Sequence, residues 1–417
     1  MQKQSRFTLN IDEYGQAAFP PEIIESFGFA PGAQLLIEKQ STGLFIHRPT
    51  SHLGKVYIEP TNQCNLKCLT CIRNAWNEPA GWMSEITFKG IISGLNEIQP
   101  VPTIFFGGYG EPLFHPRIVD MVTQARNIGA AVELITNGIL LSKEMSKQLI
   151  DAGISTLWVS LDGAKPESYA DVRASESFDT ILKNILEFRD LRGKVQNNCP
   201  EIGIAFVAMK RNITDLPSLV RLSTQLGASQ YMVTNILPHT REMCSEALYY
   251  QTMSQYTSMA SYWLPHVNLP RIDINDITSM PLYKTLRADY NISINGMPVN
   301  TSLNRCPFIE KGAMAIRWNG DVSPCLPLMH NHTSYLDGRE RTVKKYLIGN
   351  INNHSVMDLW QDKAYAEFRA RVQQFDFSPC TLCGGCDLSE TNEKDCYGNN
   401  FPTCGGCLWA QGLIQCP

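Results

Sequence analysis

The stretch Glu59-Pro60-Thr61-Asn62-Gln63-Cys64-Asn65-Leu66-Lys67-Cys68-Leu69-Thr70-Cys71 sets three cysteines in the spacing C-x3-C-x2-C. It follows directly on an apolar, β-type run that ends at Ile58. Three thiolates this close together can hold a cubane iron–sulfur cluster but fill only three of its four iron corners. The fourth iron stays open, and an open position is what separates catalytic from structural metal sites. Three nearby cysteines could also share a zinc ion with a distant fourth ligand. Spacing alone leaves both readings standing.

Composition narrows the setting. At 417 residues the chain is long enough for two or three domains with a substantial core. A formal charge of −4 gives no basic footprint for nucleic acid and no polybasic patch for a membrane. No apolar run approaches the roughly 20 residues of a membrane span. The first residues, Met1-Gln2-Lys3-Gln4-Ser5-Arg6, lack the apolar run of a signal peptide. The expectation is a cytoplasmic protein. Fourteen cysteines in such a chain point to metal rather than to a disulfide framework. Three lie at 64–71 and nine between Cys306 and Cys416. Cys199 and Cys244 stand alone and are expected to be buried small hydrophobes.

Upstream of the cysteine stretch, residues 6–50 carry the punctuation of a small β-rich unit. Phe7-Thr8-Leu9-Asn10-Ile11 alternates, Pro20-Pro21-Glu22-Ile23-Ile24-Glu25-Ser26-Phe27 predicts a short helix opened by proline, and 34–38 with 43–46 predicts a hairpin. Downstream, from about 52 to 265, strands alternate with helices. The expected strands are Val56–Ile58, Thr103–Phe106, Val132–Ile135, Thr156–Leu161, Ile202–Ala208 and Tyr231–Ile236. Between them Phe88, Ile91, Ile92 and Leu95 follow helical spacing behind an N-cap at Ser84, and Ile118, Met121, Val122 and Ala125 repeat it. Six β/α units predict an α/β fold, a curved partial barrel with a parallel sheet. Functional groups in such folds gather at the carboxyl ends of strands, where the three cysteines fall. Residues 266–304, with Pro270, Pro281 and Pro298, look irregular and are expected to link the barrel to a cysteine-rich tail at 305–417.

Three further segments stand at predicted strand ends. They are Phe106-Gly107-Gly108-Tyr109-Gly110-Glu111-Pro112-Leu113, Thr136-Asn137-Gly138 and Ser160-Leu161-Asp162-Gly163. Glycines let a backbone approach a ligand closely. Arg173 could pair with a carboxylate or lie solvated on the surface, and Asn235 is a weaker candidate. Together with the cysteine spacing, these segments resemble the radical S-adenosylmethionine enzymes. The resemblance implies a [4Fe-4S] cluster on Cys64, Cys68 and Cys71 whose open iron chelates the amino and carboxylate groups of S-adenosylmethionine. It implies cofactor contacts from Gly108, Tyr109, Gly110, Glu111, Asn137, Ser160, Asp162 and Arg173. Homolysis of a carbon–sulfur bond then gives a 5′-deoxyadenosyl radical, so no acid–base pair is needed for that step. Thr70 stands where the family usually carries an aromatic residue before the third cysteine.

The tail adds a second signal. Cys306, Gly320 and Cys325 resemble the C-x9–15-G-x4-C opening of the SPASM auxiliary-cluster domain, and Cys380, Cys383, Cys386, Cys396, Cys404, Cys407 and Cys416 follow. Nine thiols exceed the four per cubane that two auxiliary [4Fe-4S] clusters require. Their spacing departs from the family's C-x2-C-x5-C-x3-C, so the thiols are not assigned one by one, and zinc knuckles are the alternative for the C-x2-C pairs. The segments Ile348–Ile351 and Val356–Trp360 also resemble the SPASM linker. The wording from Glu59 to Trp76 and from Cys404 to Gly412 is similar to maturases of tungsten-containing aldehyde ferredoxin oxidoreductases.

The order of elements in residues 1–51 resembles AbrB-like domains, which mostly bind DNA as intertwined dimers. Lys3, Arg6, Lys39 and Arg48 are outnumbered by Asp12, Glu13, Glu22, Glu25 and Glu38, so docking or homodimerisation is the expected role. The resemblances imply a radical enzyme that modifies a peptide, a protein or a metal cofactor and draws electrons from a ferredoxin or flavodoxin-type donor. One alternative is modification of a ribosomal peptide whose leader binds the N-terminal unit. Another, of a different class, is a non-catalytic metal-binding regulator with a DNA-binding head.

Overall fold

Alternation with a period of two becomes strand only where a neighbouring strand accepts the pairing. In the N-terminal unit that condition is met in part. The structure, a computed structural model, describes residues 7–40, 43–175, 177–195, 200–250, 266–270, 272–286, 291–294, 297–298, 304–336, 338–381 and 386–417. Helix α1 (Pro21–Phe27) starts on its proline and ends at Gly28, in the left-handed region at φ 71°. Strands β1 (Ile37–Gln40) and β2 (Gly43–Ile46) form the expected hairpin. The alternating run Phe7–Ile11 does not form a strand; only Ile11 bridges, to Ala17. Among the described residues no strand lies beside it, and β1–β2 is a sheet of two strands alone.

All six strands expected in the central segment are present: β3 (Lys55–Ile58), β4 (Thr103–Phe106), β5 (Val132–Thr136), β6 (Thr156–Ser160), β7 (Glu201–Ala208) and β8 (Gln230–Asn235). They lie side by side in chain order, each pair parallel, in a sheet that does not close. Helices α2 (Glu85–Asn96), α3 (Ile118–Asn127), α4 (Lys143–Asp151), α5 (Pro166–Arg173), α6 (Phe178–Arg192) and α7 (Leu216–Gln225) intervene. Ser84 caps α2 as its position suggests, its Oγ accepting from Thr87 N at 3.1 Å, a contact worth about 1 kcal/mol.

Both faces of the sheet are buried, which explains the continuous apolar runs. Val56, Ile58, Ile104, Phe106, Leu157 and Val159 pack under the helices with Phe88, Ile91, Met121 and Val122. The alternate residues Tyr57, Phe105 and Trp158 form a second cluster inside the curve, together with Phe308, Leu326 and Met329 from the tail.

The tail is not a separate bead. Strand β12 (Ala313–Ile316) pairs in parallel with β3, so the barrel sheet runs on into tail strands β13 (Asp321–Ser323) and β16 (Gly349–Asn350). A second tail hairpin joins β14 (His332–Leu336) to β15 (Arg339–Val343). The N-terminal unit docks on this tail: His47 pairs with Glu310 at 2.7 Å, Arg305 pairs with Glu38, and Arg369 donates to Thr50 O.

The stretch expected to be irregular holds regular elements among its described residues. Strands β9 (His266–Leu269), β10 (Asn291–Ile294) and β11 (Met297–Pro298) form a small sheet, with a helix at Ser279–Leu286. Two of its prolines misled because they sit where proline is tolerated, Pro281 in a first helical turn and Pro298 on an edge strand, while Pro270 follows the end of β9. Cys244 is half-buried rather than buried, and Cys199 lies outside the described residues. No helix among the described residues is long and apolar enough to cross a membrane.

Candidate active site

The loop leaving the carboxyl end of β3 is fixed by the polar residues that precede its cysteines. Thr61 Oγ1 donates to Gly81 O at 2.7 Å and accepts from Gln63 N at 3.0 Å. Asn62 Nδ2 donates to Pro79 O at 2.8 Å, and its Oδ1 accepts from Gly81 N at 2.9 Å. Buried polar groups need such partners. Cys68 is buried and Cys64 and Cys71 half-buried.

Donors face all three sulfurs. Arg73 Nε reaches Cys71 Sγ at 3.3 Å while its Nη2 donates to Leu66 O. Arg173 Nη1 lies 3.7 Å from Cys68 Sγ. Leu66 N approaches Cys64 Sγ at 3.4 Å, and Asn137 Nδ2 lies 3.8 Å from the same sulfur while donating to Asn65 Oδ1. Burial pushes the Cys64 thiol up, opposed by the Leu66 amide and by Arg73. N–H donors and guanidinium groups at this range favour thiolate, the form that binds metal. An all-thiol donor set of this kind suits an iron–sulfur cluster.

The loop after β4 packs directly on the cysteine loop. A Cβ on Gly110 would stand 2.1 Å from Thr61 O and 2.6 Å from Gln63 O, and Glu111 N donates to Gln63 O. The sequence suggested room for a ligand at this glycine; the close approach is instead between two backbones. Gly108, at φ 91°, turns the chain so that Tyr109 N donates to Glu59 Oε1 at 3.1 Å. Tyr109 OH donates to Leu326 O of the tail.

Glu111 ties neighbouring strand ends together. Its buried carboxylate accepts from Leu113 N, from Thr136 Oγ1 at 2.7 Å and from Asn137 N at 2.7 Å. Burial pushes this carboxyl up, against those hydrogen bonds and Arg173.

Ser160 ends β6, half-buried. Asp162 is buried; it accepts from Val207 N at 2.8 Å and pairs with Arg173 Nη2 at 2.6 Å. Arg173 is therefore not a solvated surface residue, its side chain being 12 % exposed. Burial alone would lower its pKa, but Asp162 and Cys68 outweigh that and hold it up. Asp162→Asn leaves this guanidinium buried without its carboxylate. The expected cost is about 3–5 kcal/mol, measured as a lower thermal midpoint against wild type. Asn235 serves the scaffold, donating to Leu413 O at 2.9 Å.

Several residues of the site escaped sequence reasoning. His330 and Glu59 are fully buried and pair at 3.2 Å, joining the tail to the end of β3. Trp76 lies on His330 with ring centroids 4.3 Å apart. A charged residue closing an apolar strand, as Glu59 does, was the one available signal.

In the tail, Cys306, Cys325, Cys404 and Cys407 line a single cavity with Arg341 and His332. Burial pushes Cys306 up to about 12 with Cys407 adding to it, and raises Cys325, Cys404 and Cys407 as well. Four soft donors around one space match the four iron corners of a cubane. Cys416 accepts from Trp409 Nε1 at 3.1 Å beside the inner barrel cluster. Cys380 lies 3.0 Å from Ser378 Oγ, Cys386 and Cys396 are exposed, and Cys383 lies outside the described residues. Among the described residues no three His, Cys, Asp or Glu side chains are grouped to hold one metal ion. A cubane carries its ligands on separate irons and so spreads them wider than one ion does.

Comparison with known proteins agrees with this geometry. Residues 58–204 match the radical SAM superfamily, and residues 306–387 match SPASM, an iron–sulfur cluster-binding domain. The chain is 31% identical to the tungsten-containing aldehyde ferredoxin oxidoreductase cofactor-modifying protein of Pyrococcus furiosus, over 87% of this chain and 96% of that one. It is also 31% identical to an AdoMet-dependent heme synthase of Methanosarcina barkeri, over 82% and 89%. Among solved structures, native anSMEcpe with bound AdoMet superposes at a TM-score of 0.54 with 16% identity, over 86% of this chain and 96% of that one, a likeness of fold. An enzyme takes the place of the metal-binding regulator considered from sequence. With three thiols at one strand end and four around the tail cavity, the chain belongs to the SPASM-bearing radical S-adenosylmethionine enzymes, in one family with the Pyrococcus cofactor-modifying protein.

Proposed function

We propose that this enzyme is a maturase serving a tungsten-dependent oxidoreductase, acting on its metal cofactor or on a peptide or side chain of it. The observation that carries this reading is the likeness to the Pyrococcus protein along 96% of that protein's length and 87% of this chain. When bound, the cluster and S-adenosylmethionine supply a 5′-deoxyadenosyl radical. The protein's own groups position the reactants and exclude competing reactions.

Cys64, Cys68 and Cys71 hold the catalytic cluster, with Arg73, Asn137 and Arg173 donating toward their sulfurs. Asn137, Ser160 and Arg173 contact S-adenosylmethionine, while Gly108, Tyr109, Gly110, Glu111 and Asp162 shape the site around it. Cys306, Cys325, Cys404 and Cys407 hold one auxiliary cluster. Cys380, Cys383, Cys386 and Cys396 hold a second, with Cys416 as the ninth thiol beside the barrel interior. The N-terminal unit docks a partner or a second copy of the chain through the apolar residues it leaves exposed, Ile11 at 72 %, Tyr14 at 79 % and Leu44 at 68 %. A cytoplasmic ferredoxin or flavodoxin supplies electrons.

The test is to reconstitute the enzyme anaerobically, reduce it with dithionite and add S-adenosylmethionine with candidate substrates. These are cofactor-bearing apo-oxidoreductase, short precursor peptides and an iron porphyrin. Production of 5′-deoxyadenosine coupled to a mass change in the oxidoreductase sample supports the maturase reading. A mass change confined to the porphyrin or to a free precursor peptide would replace it with heme-type or ribosomal-peptide chemistry.

A further inference from the structure

Buried arginines in this fold are neutralised by carboxylates or covered by aromatic rings. Arg173 meets Asp162, and Arg317 meets Glu78 and Asp321. Arg369 lies over the rings of Trp360 and Tyr365 at 3.8 and 4.2 Å. Arg341, on β15, is different. It is 6 % exposed, its Nη1 donates to Gly406 O and its Nη2 to Thr391 O, and, as in Arg173 and Arg317, its buried Nε has no partner. Among the described residues the charges that act on it are the sulfurs of Cys407, Cys380 and Cys404, with no Asp or Glu among them.

An uncompensated buried charge is very costly, so a guanidinium kept in such a place requires an anion. The backbone is shaped to keep it there. A Cβ on Gly406 would stand 2.2 Å from Nη1, so glycine at this position is what lets the guanidinium close on the loop between Cys404 and Cys407. Arg341 also lines the cavity shared by Cys306, Cys325, Cys404 and Cys407. Arg371 acts on Cys404 too, but it is half-buried rather than buried, lies over the rings of Phe368 and Phe377, and has its amino groups on Asn400 O and Pro402 O.

We propose that Arg341 is the built-in counter-cation of the auxiliary cluster held by Cys306, Cys325, Cys404 and Cys407, and that its charge raises the reduction potential of that cluster. The inference rests on reading those four cysteines as ligands. Reduction adds one negative charge to a thiolate-ligated cluster, and net charge nearby is among the factors that set its potential. A positive charge a few ångströms away favours the reduced form by roughly tenfold or more at the dielectric typical of proteins. Arg341 is thus a positioning residue for electrons: it makes the auxiliary site a better acceptor for whatever the barrel oxidises.

The experiment uses the full chain with Cys64, Cys68 and Cys71 all changed to alanine, so that only tail clusters contribute to the spectrum. Iron is counted, and the midpoint potential is followed by electron paramagnetic resonance. With Arg341→Gln added, the equilibrium constant for reduction should fall about tenfold, a shift of about −59 mV for a one-electron couple. Arg341→Lys should restore most of it. Full iron with an unchanged midpoint in Arg341→Gln overturns the proposal. If Arg341→Gln loses iron, retention of iron by Arg341→Lys supports the counter-cation role. Loss in both overturns it, since the hydrogen bonds to Gly406 and Thr391 would then be the whole contribution. A tail that binds no iron while Arg341 is intact is a different failure, that of the ligand reading.

Discussion

Changing any one of Cys64, Cys68 or Cys71 to alanine abolishes reductive cleavage of S-adenosylmethionine and leaves iron in the tail. The three sulfurs lie on one loop, so none has a substitute within reach on its own element. Loss of a group that merely supports a ligand costs metal sites about 10–100-fold, and loss of a ligand itself exceeds that. The fall expected in 5′-deoxyadenosine formation is therefore more than about 100-fold for each variant. Tail iron should persist because Cys306, Cys325, Cys404 and Cys407 surround a separate cavity. Product chromatography and iron analysis on the same anaerobic sample check both halves. Cleavage retained by any variant would remove that cysteine from the catalytic set.

The second large effect comes from a residue with no side chain. Gly110→Ala places a methyl group against Thr61 O and Gln63 O, at separations of 2.1 and 2.6 Å that backbone atoms cannot accommodate without moving. The atoms that must yield belong to the segment that delivers Cys64. Overpacking of this kind costs about 1–3 kcal/mol. Its larger effect is on geometry, because a misplacement of about 1 Å at a reacting centre is enough to lose about 100-fold in rate. The variant should fold and keep tail iron while cleavage falls by about two orders of magnitude. Gly43→Ala is the control, since its added carbon meets nothing within 4 Å and should leave the rate unchanged. Equal rates in the two variants would show that the contact between the loops does not position the cysteines.

Local signals made the barrel legible. Each of its strands is a short apolar run bounded by turns, and helices such as α2 and α3 show their buried stripe and, at Ser84, their cap. The cysteine triad was legible for the same reason, being contiguous. What could not be read was what depends on a distant partner. Ala313-Met314-Ala315-Ile316 gives no hint that it will pair with β3, and His330 gives none that it will meet Glu59. The opposite error occurred at Phe7–Ile11, where a good alternating pattern finds no neighbouring strand among the described residues. At 266–298 the prolines concealed a small sheet whose strands alternate plainly once the breaks are set aside. In the site, Asp162 and Glu111 were expected from the family resemblance as cofactor contacts, whereas their carboxylates are buried and bond to Val207, Thr136 and Asn137.

Strand β12 lies against β3, the first strand of the barrel, although nearly the whole barrel separates them in the chain. During synthesis on the ribosome, the outer edge of β3 must wait, its amides and carbonyls unpaired, until Ala313–Ile316 has emerged. Exposed edges of this kind recruit other chains, and slow non-local pairing prolongs the exposure. The nascent barrel is therefore at its most aggregation-prone just when its cysteine triad is already outside the ribosome. Iron delivered to the triad during that interval meets an unfinished sheet, whereas iron delivered after the tail has docked meets Glu59 already fixed by His330. The moment of iron delivery, before or after the tail docks, thus decides which surroundings the triad offers it.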